Sequence, residues 1–298
     1  MIIALVASAA IAKPLFQDEA SKIAFVSERD GNPEIYVMNS DGSNVKRLTN
    51  DPGKDVQPCW SPDGERIVWA SNRTGDWDIW TMDADGTNQD NLTENKDRQD
   101  TNPMWATSEN LIAFVSNKRF YTIRPDGQNI FERTGMALMA DCQPCLSSQT
   151  LRFCLRNAKG QLLLREGYDF TQVVAIGYGG NGVPAQAYNP AFSSDAKMIL
   201  FDSGGASPKL YDVDLESTSC EEIAMEGFGA DPVFANQDTA VAFTGSTGVG
   251  QGSDIFIVDL DASTKVHGLP KPTNLTHNPA NDNQPAFWEP PATLGADH

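Results

Sequence analysis

Carboxylates recur in this chain at a fixed distance from a repeated proline. Asp55, Asp100, Asp141 and Asp282 each stand three residues before Pro58, Pro103, Pro144 and Pro285. Two further copies of the motif, at Pro190 and Pro232, carry Ala187 and Gly229 instead. Equivalent positions lie on one circle when repeats close into a ring, so the four carboxylates would line one mouth of a central channel. Crowded carboxylates repel, and a hard cation held by oxygen ligands, Ca2+ or Mg2+, would relieve that repulsion. These four are therefore the candidate metal ligands. The competing use is local: each aspartate can cap its own turn by accepting nearby backbone N–H groups.

Other chemistry is sparse. There is no Gly-x-Ser-x-Gly elbow, no His-Glu-x-x-His and no phosphate-binding Gly-x-x-x-x-Gly-Lys. His267, His277 and His298 are scattered, and His277 near Asp282 reads as a loop residue. Of five cysteines, Cys142 and Cys145 form the only close pair, and a zinc site would need a second one. Packing or one disulfide suits them better. Asp83-Ala84-Asp85-Gly86 looks superficially like a calcium loop, but its glycine falls in the wrong register, and a hairpin turn explains it. Asn72, Asn91 and Asn274 open Asn-x-Thr glycosylation sequons. No catalytic residue is predicted, and the chain reads as a non-enzyme.

The proline motif belongs to a longer unit. It appears as Pro58-Cys59-Trp60, Pro103-Met104-Trp105, Pro144-Cys145-Leu146, Pro190-Ala191-Phe192, Pro232-Val233-Phe234 and Pro285-Ala286-Phe287. The intervals are 45, 41, 46, 42 and 53 residues. A four-stranded propeller blade takes about 40–45. Apolar runs such as Ile67-Val68-Trp69-Ala70 and Val241-Ala242-Phe243 read as strands buried on both faces. Asp-Gly turns at Asp41, Asp85 and Asp126 supply the positive φ that a tight hairpin needs. A Leu-Thr strand then ends the unit.

The first apolar strand, Ile23-Ala24-Phe25-Val26, lacks a proline strand before it, and the sixth proline strand lacks followers. Joining them completes a blade. The expected fold is all-β: a six-bladed β-propeller of four-stranded antiparallel blades, closed by the C-terminal strand joining the N-terminal blade. Closure hides strand edges. The expected organisation is an apolar arm or signal-peptide remnant over 1–20, one propeller over 21–290 and a tail over 291–298.

These residues resemble the TolB-like propeller repeat. Ser27-Glu28-Arg29-Asp30-Gly31 and Ser71-Asn72-Arg73-Thr74-Gly75 match its Ser-x-Arg-x-Gly. Asp55 through Gly64 match its Asp-x-x-Pro-x-Trp-Ser-Pro-Asp-Gly in full, while residues 136–250 match poorly. The TolB protein has an additional N-terminal α/β domain, which this sequence does not show before its first blade. The resemblance implies a propeller; related propellers bind proteins, gate peptidases or act as lyases, and the fold does not choose among these.

Charge narrows the partners. Forty acidic and 22 basic residues give a net charge of −18, which repels nucleic acid and anionic lipid. The apolar Met1–Ala12 run, ending Ala10-Ile11-Ala12, resembles an export signal and is too short to span a bilayer. The reading is a periplasmic or extracellular scaffold that binds a protein partner or a second copy of itself, without nucleic acid and without membrane insertion of the mature form. Two alternatives accompany it. One is a self-assembling filament or layer subunit that uses residues 1–20 as an intersubunit strand. The other is a cation-dependent polysaccharide lyase relying on the channel carboxylates.

Overall fold

A computed structural model describes residues 21–94, 96–106, 110–137, 145–146, 152–156, 162–166, 174–175, 186–217, 219–246, 252–260 and 269–290. The described secondary structure is entirely strand. The chain opens with β1 (Lys22–Ser27), β2 (Glu34–Asn39) and β3 (Lys46–Arg47). There follow β4 (Asp55–Trp60), β5 (Arg66–Ser71), β6 (Asp78–Asp83) and β7 (Asp90–Asn91), then β8 (Asp100–Ala106), β9 (Leu111–Ser116), β10 (Arg119–Ile123) and β11 (Phe131–Ala137). Short segments give β12 (Cys145–Leu146), β13 (Arg152–Arg156), β14 (Leu162–Glu166) and β15 (Val174–Ala175). Next are β16 (Tyr188–Phe192), β17 (Met198–Asp202), β18 (Leu210–Asp214) and β19 (Cys220–Glu222). The last are β20 (Gly229–Ala235), β21 (Ala240–Gly245), β22 (Asp254–Asp259), β23 (Thr273–Asn274) and β24 (Asp282–Trp288).

Consecutive strands pair antiparallel in four-stranded sheets: β4–β7, β8–β11, β12–β15, β16–β19 and β20–β23. A further sheet has the order β24-β1-β2-β3, so the C-terminal strand completes the N-terminal blade. We call that sheet blade 1 and number the others 2 to 6 in chain order. The strands β24, β4, β8, β12, β16 and β20 touch one another in a closed circuit. They are the inner strands of a propeller; β4, β8, β20 and β24 begin three residues before the repeat proline, and β16 two residues before it.

The blades pack through their second and third strands. Ile23, Phe25, Ile67, Trp69, Ile112, Phe114, Ile199 and Val241 are wholly buried, which is why these runs show no polar alternation. Aromatic residues meet across the central strand pair of each well-described blade: Phe25–Tyr36, Trp69–Trp80, Phe114–Tyr121, Phe201–Tyr211 and Phe243–Phe256, at 5.3–6.2 Å between centroids. Such tilted or stacked pairs add to the area they bury.

The Asp-Gly and Leu-Thr motifs interlock between blades. Gly42, Gly86 and Gly127 all have positive φ, and the aspartate before each accepts the backbone N–H two residues on from itself. A Cβ on Gly42 would stand 2.6 Å from the carbonyl oxygen of Leu275, and one on Gly86 3.1 Å from that of Leu48. Each turn thus lies on the Leu of the preceding blade. The following threonines, Thr49, Thr93 and Thr276, accept the N–H of Ile35, Ile79 and Ile255 at 2.8–3.1 Å.

Candidate binding site at the channel axis

Every well-described inner strand carries the same local distortion. The strand ladder shifts register at the proline, between Val56 and Cys59, Thr101 and Met104, Tyr188 and Ala191, and Ala230 and Val233. Proline has no N–H to give to the ladder, so a bulge there costs no donor. The residue before it takes a left-handed conformation: Gln57 (φ 58°), Asn102 (52°), Asn189 (49°), Asp231 (50°) and Gln284 (53°). This region is disfavoured for L-residues, and asparagine and aspartate tolerate it best.

These five residues, with the prolines behind them, line a cavity of about 140 Å3. They form a belt between blades. The Gln284 Oε1 accepts the Gln57 N–H (2.9 Å), and Gln57 Oε1 accepts the Asn102 N–H (2.8 Å), while the Gln57 amide returns a bond to Asn102 Oδ1. Across the ring, Asp202 Oδ2 accepts from Asn189 Nδ2 (2.8 Å) and from the Asp231 N–H (3.2 Å). Thr244 Oγ1 donates to Asp231 Oδ2 (3.0 Å) and accepts the Gln284 N–H (3.1 Å). The belt is amide on one side and acidic on the other. Burial, and then the neighbouring Asp202, push the Asp231 carboxyl up to about 6.

The aspartates singled out from the sequence sit elsewhere in the blade. Asp55, Asp100 and Asp282 are fully buried at the outer ends of their inner strands, paired in register with Ser71, Ser116 and Ser27. Two are held by arginine. Arg73 Nη2 lies 2.6 Å from Asp55 Oδ2 and its Nε 3.0 Å from Ser71 Oγ. Arg29 repeats this on Asp282 (2.8 Å) and Ser27 (2.7 Å). Each guanidinium also lies over the aromatic pair of its blade, Arg73 at 4.6 Å from the Trp80 centroid and Arg29 at 4.8 Å from that of Tyr36. The Ser-x-Arg motif is thus a clamp on the buried aspartate.

Blade 3 has Lys118 in the arginine's place, and Arg98 comes from before the strand to lie over Tyr121 at 5.1 Å. Burial raises the pKa of all three carboxyls against the pull of the serines and arginines. Among the described residues no three acidic, histidine or cysteine side chains gather where they could hold a metal ion. Asp141 lies outside the described residues. Sequence spacing placed the aspartates on one circle, but a buried radius differs from the axis, and the side chains that reach the axis are two positions later.

The sequons also have structural employment. Asn91 Nδ2 donates to Asp78 (2.9 Å), and Asn274 Nδ2 to Asp254 (2.7 Å), so both amides belong to the blade's own bonding. Asn72 Oδ1 accepts the Lys54 N–H at 2.7 Å. His277 lies in the connection to β24, its N–H bonded to Asn274. Cys59, Cys154 and Cys220 are free thiols, and Cys142 lies outside the described residues. The axial residues were visible as a pattern: each repeat proline is preceded by Gln57, Asn102, Gln143, Asn189, Asp231 or Gln284, an amide or acid in every copy. Gln143 too lies outside the described residues.

Comparison with known proteins agrees with this architecture. Residues 3–141 match the TolB beta propeller domain family. The crystal structure of TolB from Acinetobacter baumannii superposes with a TM-score of 0.75 at 16% identity, covering 91% of this chain and 67% of that one. The fold is a β-propeller, and residues 3–141 match the TolB propeller repeat. Its sequence is 54% identical to the Tol-Pal system protein TolB of Geobacter sulfurreducens over 41 residues, which are 14% of this chain and 10% of that relative. The matched stretch is therefore about a tenth of that relative's length. The propeller fold is also shared with hydrazine synthase of Kuenenia stuttgartiensis, at a TM-score of 0.70 and 12% identity over 91% of this chain and 47% of that one. At such identities the structural likeness concerns the fold alone.

Proposed function

We propose that this propeller is a non-enzymatic, protein-binding module of a bacterial envelope, working in the periplasm in a Tol-Pal type system. The observation that carries the reading is the axial belt. Five polar side chains from five blades are fixed in left-handed turns and by one another, so they meet a partner with little ordering to do. They offer amide donors and acceptors and one acidic side, the groups that recognise a peptide's backbone and basic side chains. The match to TolB-type sequences supports the setting.

The lyase reading rested on carboxylates gathered at the channel. It loses that support, because Asp55 and Asp282 are engaged by Arg73 and Arg29. Assembly through residues 1–20 stays a second reading on the strength of their apolar composition alone; they lie outside the described residues. Deleting them and measuring mass by light scattering tests it, since assembly that survives the deletion would exclude it.

The main reading is tested by titrating the purified chain with the Pal protein of the same organism in a calorimeter. Binding is expected, with a loss of at least tenfold in Gln284→Lys, which puts a cation into the mouth. No binding would sink the Tol-Pal assignment. Binding indifferent to the substitution would move the partner away from the axis.

A further inference from the structure

Three blade junctions each bring two acidic residues together. The Asp55 N–H bonds to the Pro33 carbonyl (2.9 Å) beside Glu34, the Asp100 N–H to the Trp77 carbonyl (2.8 Å) beside Asp78, and the Asp282 N–H to the Ser253 carbonyl (2.7 Å) beside Asp254. Two of these junctions carry their own cations. Between blades 1 and 2, Arg47 holds Glu34 and Arg73 holds Asp55. Between blades 6 and 1, Arg29 holds Asp282, while Asp254 accepts from Asn274, Thr276 and the Asn278 N–H.

The junction of blades 2 and 3 is built differently. Asp78 and Asp100 are 2% and 0% exposed, and among the described residues no basic side chain forms an ion pair with either. Thr74 and Asn91 both donate to Asp78 Oδ2, and its buried Oδ1 has no partner. Asp100 has none on either oxygen, and neither has the buried Ser116 Oγ opposite it in the ladder. Asp55 and Asp282, by contrast, each give one oxygen to arginine. The cause lies in the strand connection. Residues 28–33 and 72–77 link the second and third strands of blades 1 and 2 and carry the clamping arginine. In blade 3 only Asn117 and Lys118 make that link, both at positive φ (45° and 66°), and Lys118 is exposed. Arg98 lies over Tyr121 and acts on Asp100 without bonding to it. Burial holds the Asp100 carboxyl above its ordinary range and Asp78 adds to this, while Ser116, Thr93 and Arg98 pull the other way.

We propose that the junction of blades 2 and 3 binds a Ca2+ ion, which does for Asp78 and Asp100 what Arg73 does for Asp55. Four buried oxygens want a partner there: Asp78 Oδ1, both oxygens of Asp100 and Ser116 Oγ. All are hard donors, and two carboxylates balance one divalent ion. Without a cation, two like charges stay buried at one junction, the costly case for ionised groups. Calcium suits the place better than magnesium. Only two acidic side chains meet, and Ca2+ accepts an irregular shell completed by hydroxyl, carbonyl or water oxygens, whereas Mg2+ demands a near-ideal octahedron and gives up its water reluctantly. The site is distinct from the axial belt and does not rest on the protein-binding reading.

The test is thermal melting of the intact chain, stripped with EDTA and dialysed, near neutral pH at constant ionic strength. Calcium chloride is added up to about 5 mM, with magnesium chloride as comparator. A saturable rise in Tm of about 2–6 °C is expected with calcium and a smaller one with magnesium. Asp100→Asn and Asp78→Asn should each weaken calcium binding about tenfold or more in a calorimeter. Without calcium, Asp100→Asn should melt above the native chain, because a buried charge without a partner is gone. That rise separates lost ligation from lost folding. The proposal is overturned if calcium leaves the native Tm unchanged, if magnesium stabilises as well as calcium, or if both variants keep the native affinity.

Discussion

Burial governs how Asp231 titrates. In the folded chain it holds its proton up to about pH 6, whereas its ordinary value is 3.8. Between those values the folded state binds more protons than the unfolded one, so stability falls as pH rises from about 4 to 6. The full loss, at most about 3 kcal/mol, is present above pH 6. Asp231→Asn keeps an acceptor for Thr244 and carries no charge to desolvate. It should raise Tm at pH 8, leave it nearly unchanged at pH 4 and flatten the slope between, in thermal melts across that range. Equal effects at both ends would mean that packing, not charge, dominates at this position. Asp55, Asp100 and Asp282 slope the same way, so the comparison must be between the variant and the native chain. Arg73 gives a second prediction. Its side chain is 11% exposed and its partner Asp55 0%, so Arg73→Ala strands a buried carboxylate and uncovers Trp80. A loss of about 3–5 kcal/mol is expected in urea unfolding. Arg73→Met combined with Asp55→Asn should recover a large part of it, because no charge is then left buried alone.

At the level of elements, the repeat was legible because each motif has one local job. Asp-Gly makes the hairpin, Leu-Thr docks under the next turn, and the apolar run fills the blade. Spacing gave the inner strands correctly but assigned their aspartates to the axis. A period of about 45 residues fixes which positions are equivalent, not their radius from the channel. The bulge decides that, and its signal was the polar residue before each proline. The turns also separate two costs of replacing glycine. Gly75 has φ 108° and nothing within 4 Å of an added Cβ, so Gly75→Ala meets only backbone strain, about 1–2 kcal/mol. Gly42→Ala meets similar strain and drives a Cβ into the Leu275 carbonyl of the neighbouring blade at 2.6 Å. It should cost clearly more in parallel urea titrations. Equal losses would show that the blades separate there without penalty.

Across the whole molecule, closure rests on one strand. β24 pairs with β1 from Lys22–Trp288 to Ser27–Asp282, brings the partner of Arg29, and supplies the Gln284 side-chain Oε1 that accepts the Gln57 N–H. Its last residue, Trp288, packs at 6.1 Å on Trp60 and donates its Nε1–H to the Pro62 carbonyl (3.2 Å). Trp60 in turn donates to the Ala286 carbonyl (3.1 Å), so blades 1 and 2 are stitched in both directions. Ending the chain at residue 281 removes all of these together and leaves β1 as an open, apolar edge, the kind that recruits other chains. The truncated chain should lose its single cooperative transition and run as oligomers in size-exclusion chromatography. Trp288→Ala should stay monodisperse, since only the ring is lost, with a fall of about 3–5 kcal/mol at most. A synthetic peptide of residues 282–290 should then restore the truncated chain to one particle size, because the edge it binds is the one it normally occupies. If the truncated chain were monomeric and cooperative without the peptide, the neighbouring inner strands β20 and β4 would be holding the circuit closed by themselves.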